Sequence, residues 1–422
     1  MNSKSALQYR DAQLCMESVS LNHIADQVGT PFYCYSAGTI EARIAECKSA
    51  FKKLGATLHY AVKANSNLAV LRLMAEAGLG ADIVSAGELE RVLKAGIEPA
   101  GIIFSGVGKR KPELLAALQA GIFQFNLESI EELEQLDSLC RQQERDAAVS
   151  VRINPEVDAA THRYITTGVK GNKFGIPLEQ LETALKLIAR SDRLRLHGLA
   201  MHIGSQILEV EPYTKASRRL RDLAIDLRQK GHAITHLDIG GGFGIDYGDG
   251  RYLDFSAVAA VVGRELRGLD VRIAVEPGRS LVGAAGVLVS EVVYRKEVEP
   301  LPFLILDAGM NDLMRPALYQ AVHPLLPLQE SGEARERCHV VGPICESSDS
   351  FLRQATLPPI KAGERVALLQ AGAYGAVMAS GYNSRDIIPE VMVRGDQYRL
   401  VRRRIPHGDL MAYELIDNPG SF

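Results

Sequence analysis

The sequence predicts an α/β protein with a (β/α)8 barrel, followed by a C-terminal β-rich domain that also takes in an N-terminal strand. Eight strand-like runs alternate with helical patterns between residues 57 and 275. Helical periodicity becomes weak after residue 282, where β-rich runs dominate. A strand-like run at 32–35, behind Pro31, precedes the first helix and lies outside that alternation. Alternation of this kind is typical of parallel βαβ units, and eight units match a barrel.

The barrel prediction depends on the position of each run. We predict strands at 57–62, 81–85, 101–105, 122–126, 148–153, 196–202, 235–239 and 271–275. Helical patterns lie at about 67–78, 86–95, 111–120, 128–144, 177–190, 212–231 and 256–267, and a first helix at about 37–54 has Ser36 as its candidate N-cap. An open doubly wound sheet is the alternative. It would more often carry a G-x-G-x-x-G turn after its first strand, where this chain has AVKANSN.

Three segments follow from this pattern. Residues 1–35 form an N-terminal segment that packs with the C-terminal β domain, residues 36–282 form the barrel, and residues 283–422 form the β domain. The last segment contains strand-like runs separated by loops that hold six prolines, at positions 302, 316, 324, 327, 358 and 359.

Composition excludes several classes of protein. The chain has 422 residues, of which 46% are apolar and 23% charged, with a net charge of −3 and scattered basic residues, so we expect no nucleic-acid partner. We predict neither a signal peptide nor a membrane span, because charged residues interrupt every apolar run. Six dispersed cysteines without a C-x-x-C pair indicate a reduced, cytoplasmic protein without a metal site. Five of them are expected in the core, and Cys345 is the exception.

Candidate site residues follow four of the predicted strands. Active sites of barrels form at the C-terminal ends of the strands, and phosphate often binds to the loops after strands 7 and 8. Strand 1 is followed by a lysine, strand 6 by a histidine and a serine, strand 7 by three glycines, and strand 8 by a Glu-Pro-Gly-Arg turn. These residues are Lys63, His202, Ser205, Gly240, Gly241, Gly242, Glu276, Pro277, Gly278 and Arg279.

A lysine, a phosphate cradle and an acid at one barrel mouth suit pyridoxal 5'-phosphate. Lysine forms a Schiff base with this cofactor, glycine N–H groups and Arg279 bind its phosphate, and an acid such as Glu276 faces its ring nitrogen. Each residue also has a plainer interpretation. Lys63 could be a surface cation, the glycines a flexible loop, Glu276 a rim ion pair with Arg279, and His202 a core residue.

The chain resembles the alanine racemase-like group of pyridoxal-phosphate enzymes, and within it the diaminopimelate decarboxylases. The resemblance covers essentially the whole chain. It is carried, in order, by TPFYCYS, YAVKANSN, GADIVSAGEL, FSGVGK, NKFGI, MHIGSQI, LDIGGGFGI, EPGRS, DAGMNDLMRPALY, VGPICESSD and GAYGAVMASGYNSR. The chain departs from the family pattern at Asp386-Ile387-Ile388-Pro389, where a Pro-Arg-like pair is usual, and at Gly309 in DAGM.

The resemblance implies a role for each barrel residue. Lys63 would form the Schiff base, His202 would stack on the ring, and Glu276 would pair with the ring nitrogen. Ser205 and the turn Gly240–Gly242 would hold the phosphate.

Further roles fall on the C-terminal part of the chain. Arg279, Arg315 and Tyr319 would bind the distal carboxylate of the substrate. Cys345 and Glu346 would enter from the partner subunit of a homodimer, Glu346 to bind the distal ammonium and Cys345 to protonate the substrate carbon. Tyr374 would contact both phosphate and substrate. A plainer interpretation of Cys345 is a small residue that shapes the pocket.

The activity implied is decarboxylation of meso-2,6-diaminopimelate to L-lysine and carbon dioxide, the last step of bacterial lysine biosynthesis. Ornithine decarboxylases of the eukaryotic type usually have Cys-Asp in place of Cys345-Glu346 and lack the arginine and tyrosine of MRPALY. The alternatives are a decarboxylase of D-ornithine, D-lysine or a secondary-metabolite amino acid, a non-catalytic pyridoxal-phosphate-binding homologue, and a Schiff-base aldolase barrel.

Overall fold

The computed structural model describes residues 6–155, 157 and 173–415. The chain divides into two compact units, one of residues 40–282 and one that combines residues 1–39 with residues 283–422. The predicted N-terminal segment begins with the small elements β1 (Leu7–Arg10), β2 (Gln13–Met16), β3 (Val19–Ser20), α1 (Leu21–Val28) and β4 (Phe32–Ser36). Asn172 of the NKFGI motif lies outside the described residues.

Eight parallel strands of the described chain close into a barrel, so the predicted fold class is confirmed and the open-sheet alternative is wrong. The strands are β5 (Thr57–Ala61), β6 (Gly80–Ile83), β7 (Ile102–Phe104), β8 (Gln124–Leu127), β9 (Ala147–Arg152), β10 (Leu194–Ala200), β11 (His236–Asp238) and β12 (Arg272–Val275). The sheet closes where β12 pairs with β5, in a register that puts Val275 beside Leu58. Closure brings the C-terminal ends of all eight strands to one mouth.

One helix precedes β5, and a helix follows each of the eight barrel strands. They are α2 (Ala37–Phe51), α3 (Leu68–Glu76), α4 (Ala86–Ala95), α5 (Lys111–Ala120), α6 (Ile130–Gln143), α7 (Leu178–Arg190), α8 (Glu211–Gln229), α9 (Phe255–Glu265) and the short α10 (Arg279–Val282). Ser36 is the cap expected for α2, since its Oγ accepts the N–H of Thr39 at 2.9 Å. Ser85 and Ser129 begin α4 and α6 in the same way.

The second unit is β-rich. Its later elements are β13 (Gly286–Lys296), β14 (Phe303–Leu306), α11 (Arg315–Tyr319), β15 (Leu325–Pro327), β16 (Glu336–Val341), β17 (Ser350–Leu357), β18 (Arg365–Leu368), β19 (Glu390–Arg394), β20 (Gln397–Arg402) and α12 (His407–Met411). The N-terminal strand β4 lies between β13 and β19, antiparallel to the first and parallel to the second. The prediction that an N-terminal strand joins the C-terminal sheet is therefore confirmed.

Burial follows the apolar pattern of the sequence. In the β unit, Phe32 and Cys34 of β4 pack with Val287, Val289 and Val391 in one buried cluster. Cys345 is exposed, and the other five cysteines are buried, as expected. Among the described residues, no helix has both the length and the apolar character needed to cross a membrane.

Candidate active site

Lys63 lies directly after β5, in a single 3₁₀ turn that spans Val62–Ala64. Its Nζ donates a hydrogen bond to Oδ2 of Asp82 at 2.6 Å. The Asp82 carboxylate is fully buried at the end of β6, whereas the Lys63 side chain keeps 36% of its exposure. Lys63 is therefore tied to the barrel mouth and is not a freely solvated surface cation.

Glu276 and Asp238 form a buried carboxyl pair at the same mouth. Burial, then the charges of Asp238 and Asp82, raise the pKa of Glu276 well above its usual range. Burial also raises the pKa of Asp238, to about 6. The two side chains are hydrogen bonded, and Glu276 holds the proton because its pKa is raised more strongly.

One oxygen atom of this carboxyl pair accepts no hydrogen bond from the described residues. Within the described residues, Oε1 of Glu276 is buried and has no hydrogen-bond partner. Glu276 bonds to Asp238, whereas Arg279 donates to Ser205 and Tyr247, and these contacts favour a carboxyl pair over a rim ion pair. A buried carboxyl with a free acceptor oxygen can receive a protonated ring nitrogen.

The glycine turn follows β11 and is tightly packed. Gly240 and Gly242 have φ angles of 70° and 98°, which side chains rarely adopt. A Cβ atom on Gly241 would lie 2.0 Å from the carbonyl oxygen of Glu276, and one on Gly242 would lie 2.3 Å from that of Gly204. The turn is therefore fixed between the ends of neighbouring strands and is not a flexible loop.

His202 follows β10 and contacts this turn. Its Nδ1 accepts the N–H of Gly241 at 3.3 Å, so the proton of a neutral ring sits on Nε2. Burial, then the charges of Arg152 and Lys63, lower the pKa of His202 well below its usual range. The imidazole is therefore neutral at pH 7.

Arg279 joins the loops after β10, β11 and β12. It is 6% exposed, and its Nη2 donates to Oγ of Ser205 at 2.9 Å, while its Nη1 donates to the hydroxyl of Tyr247 at 2.7 Å. Pro277 accepts the N–H of Ala61 at 3.1 Å, which ties the turn after β12 to β5. A cation, a hydroxyl and the glycine turn thus meet at the corner where barrels bind phosphate.

Gly278 lies in the same corner, at a position that leaves little room for a side chain. A Cβ atom added there would lie 3.0 Å from the Cβ of Ala61 and 3.2 Å from that of Ala64. The residues on either side of Lys63 therefore pack closely against the turn that carries Arg279.

Several residues at the mouth were not singled out from the sequence. Asp82 is the penultimate residue of β6, and Asp238 is the last residue of β11. Arg152 pairs with Glu128 at 2.5 Å, across the ends of β9 and β8. Glu128 also accepts the N–H groups of Gly106 and Gly175 at 3.0 and 2.8 Å. Asp82, Arg152 and Asp238 lie within the predicted strands, so the search for residues that follow a strand does not find them.

The other candidate residues lie in the β unit. Arg315 begins the short helix α11 and is 5% exposed. Its Nη1 is 2.8 Å from Nε2 of His323. Tyr319 is the last residue of α11, and Tyr374 lies beyond β18 with a φ angle of 56°.

Cys345 and Glu346 are exposed on the loop between β16 and β17. Glu346 accepts hydrogen bonds from the hydroxyls of Tyr382 and Ser348, and these bonds lower its pKa. Asp349 fixes the loop, because its carboxylate accepts the N–H groups of Met310 and Ile344, each at 2.7 Å. The loop therefore presents a thiol and a carboxylate on a rigid frame.

The barrel unit thus brings together ten predicted residues, and five others lie in the β unit. A lysine held by a buried carboxylate, a carboxyl with a free buried oxygen, and a glycine turn beside Arg279 fit the reactive group, the ring nitrogen and the phosphate of pyridoxal 5'-phosphate. This fold and donor set define the class of barrel enzymes that bind this cofactor.

Comparisons with known proteins agree with this class. Residues 37–283 match the family model described as pyridoxal-dependent decarboxylase, pyridoxal binding domain. A diaminopimelate decarboxylase from Pseudomonas aeruginosa is 45% identical over 406 residues, covering 96% of this chain and 98% of its own length. The chain belongs to the pyridoxal-dependent decarboxylase family.

Solved structures show the same likeness. The structure of diaminopimelate decarboxylase from Helicobacter pylori, complexed with L-lysine, superposes with a TM-score of 0.90 at 40% identity, covering 93% of this chain and 98% of that one. The enzyme of the same name from M. jannaschii, also in complex with L-lysine, gives a TM-score of 0.93 at 33% identity, covering 97% and 98% of the two chains.

Proposed function

We propose that this protein is a diaminopimelate decarboxylase, which converts meso-2,6-diaminopimelate to L-lysine and carbon dioxide in the last step of bacterial lysine biosynthesis. The observation that carries the proposal is the barrel mouth that holds the Lys63–Asp82 ion pair beside the Glu276–Asp238 carboxyl pair. The near-complete coverage of relatives that bear this name supports the choice of substrate.

The residues at the mouth would hold pyridoxal 5'-phosphate in a fixed orientation. Lys63 would bond to its aldehyde carbon, and the glycine turn, Ser205 and Arg279 would bind its phosphate. Glu276 would face the ring nitrogen, and His202 would lie against the ring. When bound, the cofactor supplies an electron sink for the electron pair that carbon dioxide leaves behind.

Charge at the mouth prepares these residues for their roles. Asp82 orients the Lys63 ammonium through the 2.6 Å hydrogen bond and is placed to accept its proton. Oε1 of Glu276 would accept a hydrogen bond from the protonated ring nitrogen, and the negative charge of the Glu276–Asp238 pair would balance the positive charge of the ring. His202 stays neutral, so it adds no positive charge that would compete with the ring for the negative charge of the Glu276–Asp238 pair.

The substrate proposal follows from charge at the far end of the molecule. Diaminopimelate carries an ammonium and a second carboxylate there, whereas an ornithine or lysine that reacts at its α-carbon carries only an ammonium. Arg315 and Arg279 would bind the carboxylate, with Tyr319 and Tyr374 beside it, and Glu346 would bind the ammonium. Arginine suits a planar carboxylate because its guanidinium can donate two parallel hydrogen bonds.

We also propose a homodimer in which Cys345 and Glu346 enter the barrel mouth of the partner subunit. The exposure of both side chains on a loop fixed by Asp349 supports this. Cys345 would then donate a proton from its thiol to the substrate carbon.

Two further proposals concern organisation and location. Residues 36–282 would act as the cofactor-binding barrel, and residues 1–35 with 283–422 as the β domain, which the pairing of β4 with β13 and β19 supports. Six free cysteines are consistent with a reducing, cytoplasmic location.

A substrate panel tests the proposed function. Purified protein loaded with pyridoxal 5'-phosphate would be supplied with meso-diaminopimelate, L-lysine, D-lysine, L-ornithine and D-ornithine, and carbon dioxide release would be measured. We expect kcat/KM for meso-diaminopimelate to exceed every other value at least 100-fold. Equal or faster turnover of D-lysine or D-ornithine would assign the protein to those substrates. No release from any of them would indicate a non-catalytic homologue.

A further inference from the structure

His323 is a fully buried histidine in the β unit, and its ring contacts the guanidinium of Arg315. It is 0% exposed. Its Nε2 lies 2.8 Å from Nη1 of Arg315, and its Nδ1 lies 2.7 Å from the carbonyl oxygen of Leu369. Both ring nitrogens are therefore within hydrogen-bond distance of a partner.

These partners fix the protonation state of the ring. A carbonyl oxygen can only accept a hydrogen bond, so Nδ1 of His323 carries a proton and donates it to Leu369. A guanidinium can only donate, so Nε2 must be the lone-pair acceptor for Arg315. His323 is therefore the neutral tautomer with its proton on Nδ1, and it offers Arg315 an uncharged acceptor.

The backbone around His323 is itself held firmly. Leu369 donates its N–H to the carbonyl oxygen of Pro324 at 2.7 Å, so the segment after β18 is bonded to both His323 and Pro324. Immediately afterwards, β15 pairs with β18, with Leu325 beside Leu368. The imidazole is thus anchored to a sheet rather than to a loose loop.

Arg315 needs such an anchor because its own helix is short. Helix α11 has only five residues and is followed by the C-cap residue Gln320, which has a left-handed φ angle of 54°. An arginine side chain has many rotamers, and holding it in one of them costs conformational entropy. A neutral acceptor aimed at one guanidinium nitrogen selects a rotamer without neutralising the charge, whereas a carboxylate would compete with the ligand.

We propose that His323 is a positioning residue that orients Arg315 for the distal carboxylate of the substrate and thereby contributes to substrate specificity. This inference rests on the proposed function, in which Arg315 binds that carboxylate. His323 does not contact the substrate. It fixes the direction of the Arg315 guanidinium and, because the imidazole is neutral, does not offset the positive charge of that group.

A pair of substitutions separates the two hydrogen bonds of the ring. An asparagine amide can replace Nδ1 and keep the donor to Leu369, but it cannot reach the position of Nε2. A glutamine amide can place its oxygen near Nε2 and keep the acceptor for Arg315. We expect H323N to raise KM for meso-diaminopimelate about 10-fold with kcat changed less than 3-fold, because hydrogen bonds to charged groups are worth about that factor. H323Q should stay within about 3-fold of the parent KM.

A ligand pair excludes a merely structural effect. L-Lysine carries the carboxylate in question, and 1,5-diaminopentane is lysine without it. In H323N, the inhibition constant of L-lysine should rise about as much as KM, and that of 1,5-diaminopentane should not change. Circular dichroism would set a temperature at which both variants are folded, and all constants would be measured there.

Several results would overturn the inference. They are an unchanged KM in H323N, equal weakening of both inhibitors, and an H323Q variant as impaired as H323N. Arg315→Ala, measured alongside, keeps the two proposals apart. If Arg315→Ala raises KM and H323N does not, only the role of His323 fails. If Arg315→Ala leaves KM unchanged, the proposed carboxylate site fails first.

Discussion

Replacing Asp238 with asparagine tests whether the buried carboxyl pair holds a proton. Burial raises the pKa of Asp238 from 3.8 to about 6. The folded protein therefore binds this proton more tightly than the unfolded chain. The contribution of Asp238 to the free energy of unfolding is fully present below pH 3.8 and is lost as pH rises through about 6. The loss at higher pH is about 3 kcal/mol, since one pKa unit corresponds to about 1.4 kcal/mol.

Asparagine removes this cost because it has no charge to bury. Its amide oxygen can still accept the N–H of Gly240, which lies 2.9 Å from the Asp238 carboxylate. The contact with Nδ2 of Asn126, at 3.3 Å, is lost at a cost of about 1 kcal/mol. Removing the charge of Asp238 also lowers the pKa of Glu276 toward its usual range, because that charge is one of the causes that raise it. We expect Asp238→Asn to stabilise the cofactor-free protein by about 2 kcal/mol at pH 8.

The stability difference between Asp238→Asn and the parent should depend on pH. At pH 4.5 most of the cost is already relieved by protonation, so the difference between variant and parent should fall close to zero. Urea unfolding of the cofactor-free protein, followed by circular dichroism at both pH values, measures it. Asp270→Asn, at an exposed aspartate, is the control and should change stability by less than about 0.5 kcal/mol. A variant less stable than the parent at pH 8, or equally stabilised at both pH values, would refute the shared proton.

Three further variants probe the rest of the site. Arg315→Ala should raise KM for meso-diaminopimelate about 10- to 100-fold with a smaller change in kcat, from loss of a charge-assisted pair, and steady-state kinetics that show a level KM would remove Arg315 from the carboxylate site. Gly241→Ala places a Cβ atom 2.0 Å from the Glu276 carbonyl oxygen, so cofactor affinity measured by equilibrium dialysis should fall at least 10-fold, while Gly332→Ala, at an open position, should match the parent. Cys345→Ala should lower kcat more than Cys345→Ser, since serine keeps a proton on the side chain, and equal activity of all three forms would leave Cys345 as a pocket-shaping residue.

Much of the barrel could be predicted from the sequence because strands and helices have different apolar periods. The sequence predicts a strand at 196–202, and β10 spans Leu194–Ala200. The lysine after strand 1 and the acid after strand 8 could be placed at one mouth because a closed parallel barrel makes β12 the neighbour of β5. Ser36 could be identified as a helix cap from its position alone.

The partners of these residues could not be predicted in the same way. Asp82 is 19 positions from Lys63, and Asn126 is 112 positions from Asp238, so each contact exists only after the barrel closes. The position of His323 could not be predicted because a lone histidine carries no signal in the sequence, and its tautomer follows only from the two partners that the fold provides. Proton sharing between Glu276 and Asp238 likewise depends on burial, which a list of strand ends does not contain.

Lys63 is the residue proposed to bond to pyridoxal 5'-phosphate. Borohydride reduction of the loaded protein makes that bond permanent, and peptide mass spectrometry then locates it. Lys109 is the internal comparison, since it also lies near the barrel mouth but is buried and is held by Glu132 at 2.6 Å. We predict a pyridoxyl group on the peptide that contains Lys63 and none on Lys109. A pyridoxyl group on Lys109 or on any other lysine, or its absence from a protein that releases carbon dioxide, would contradict the claim.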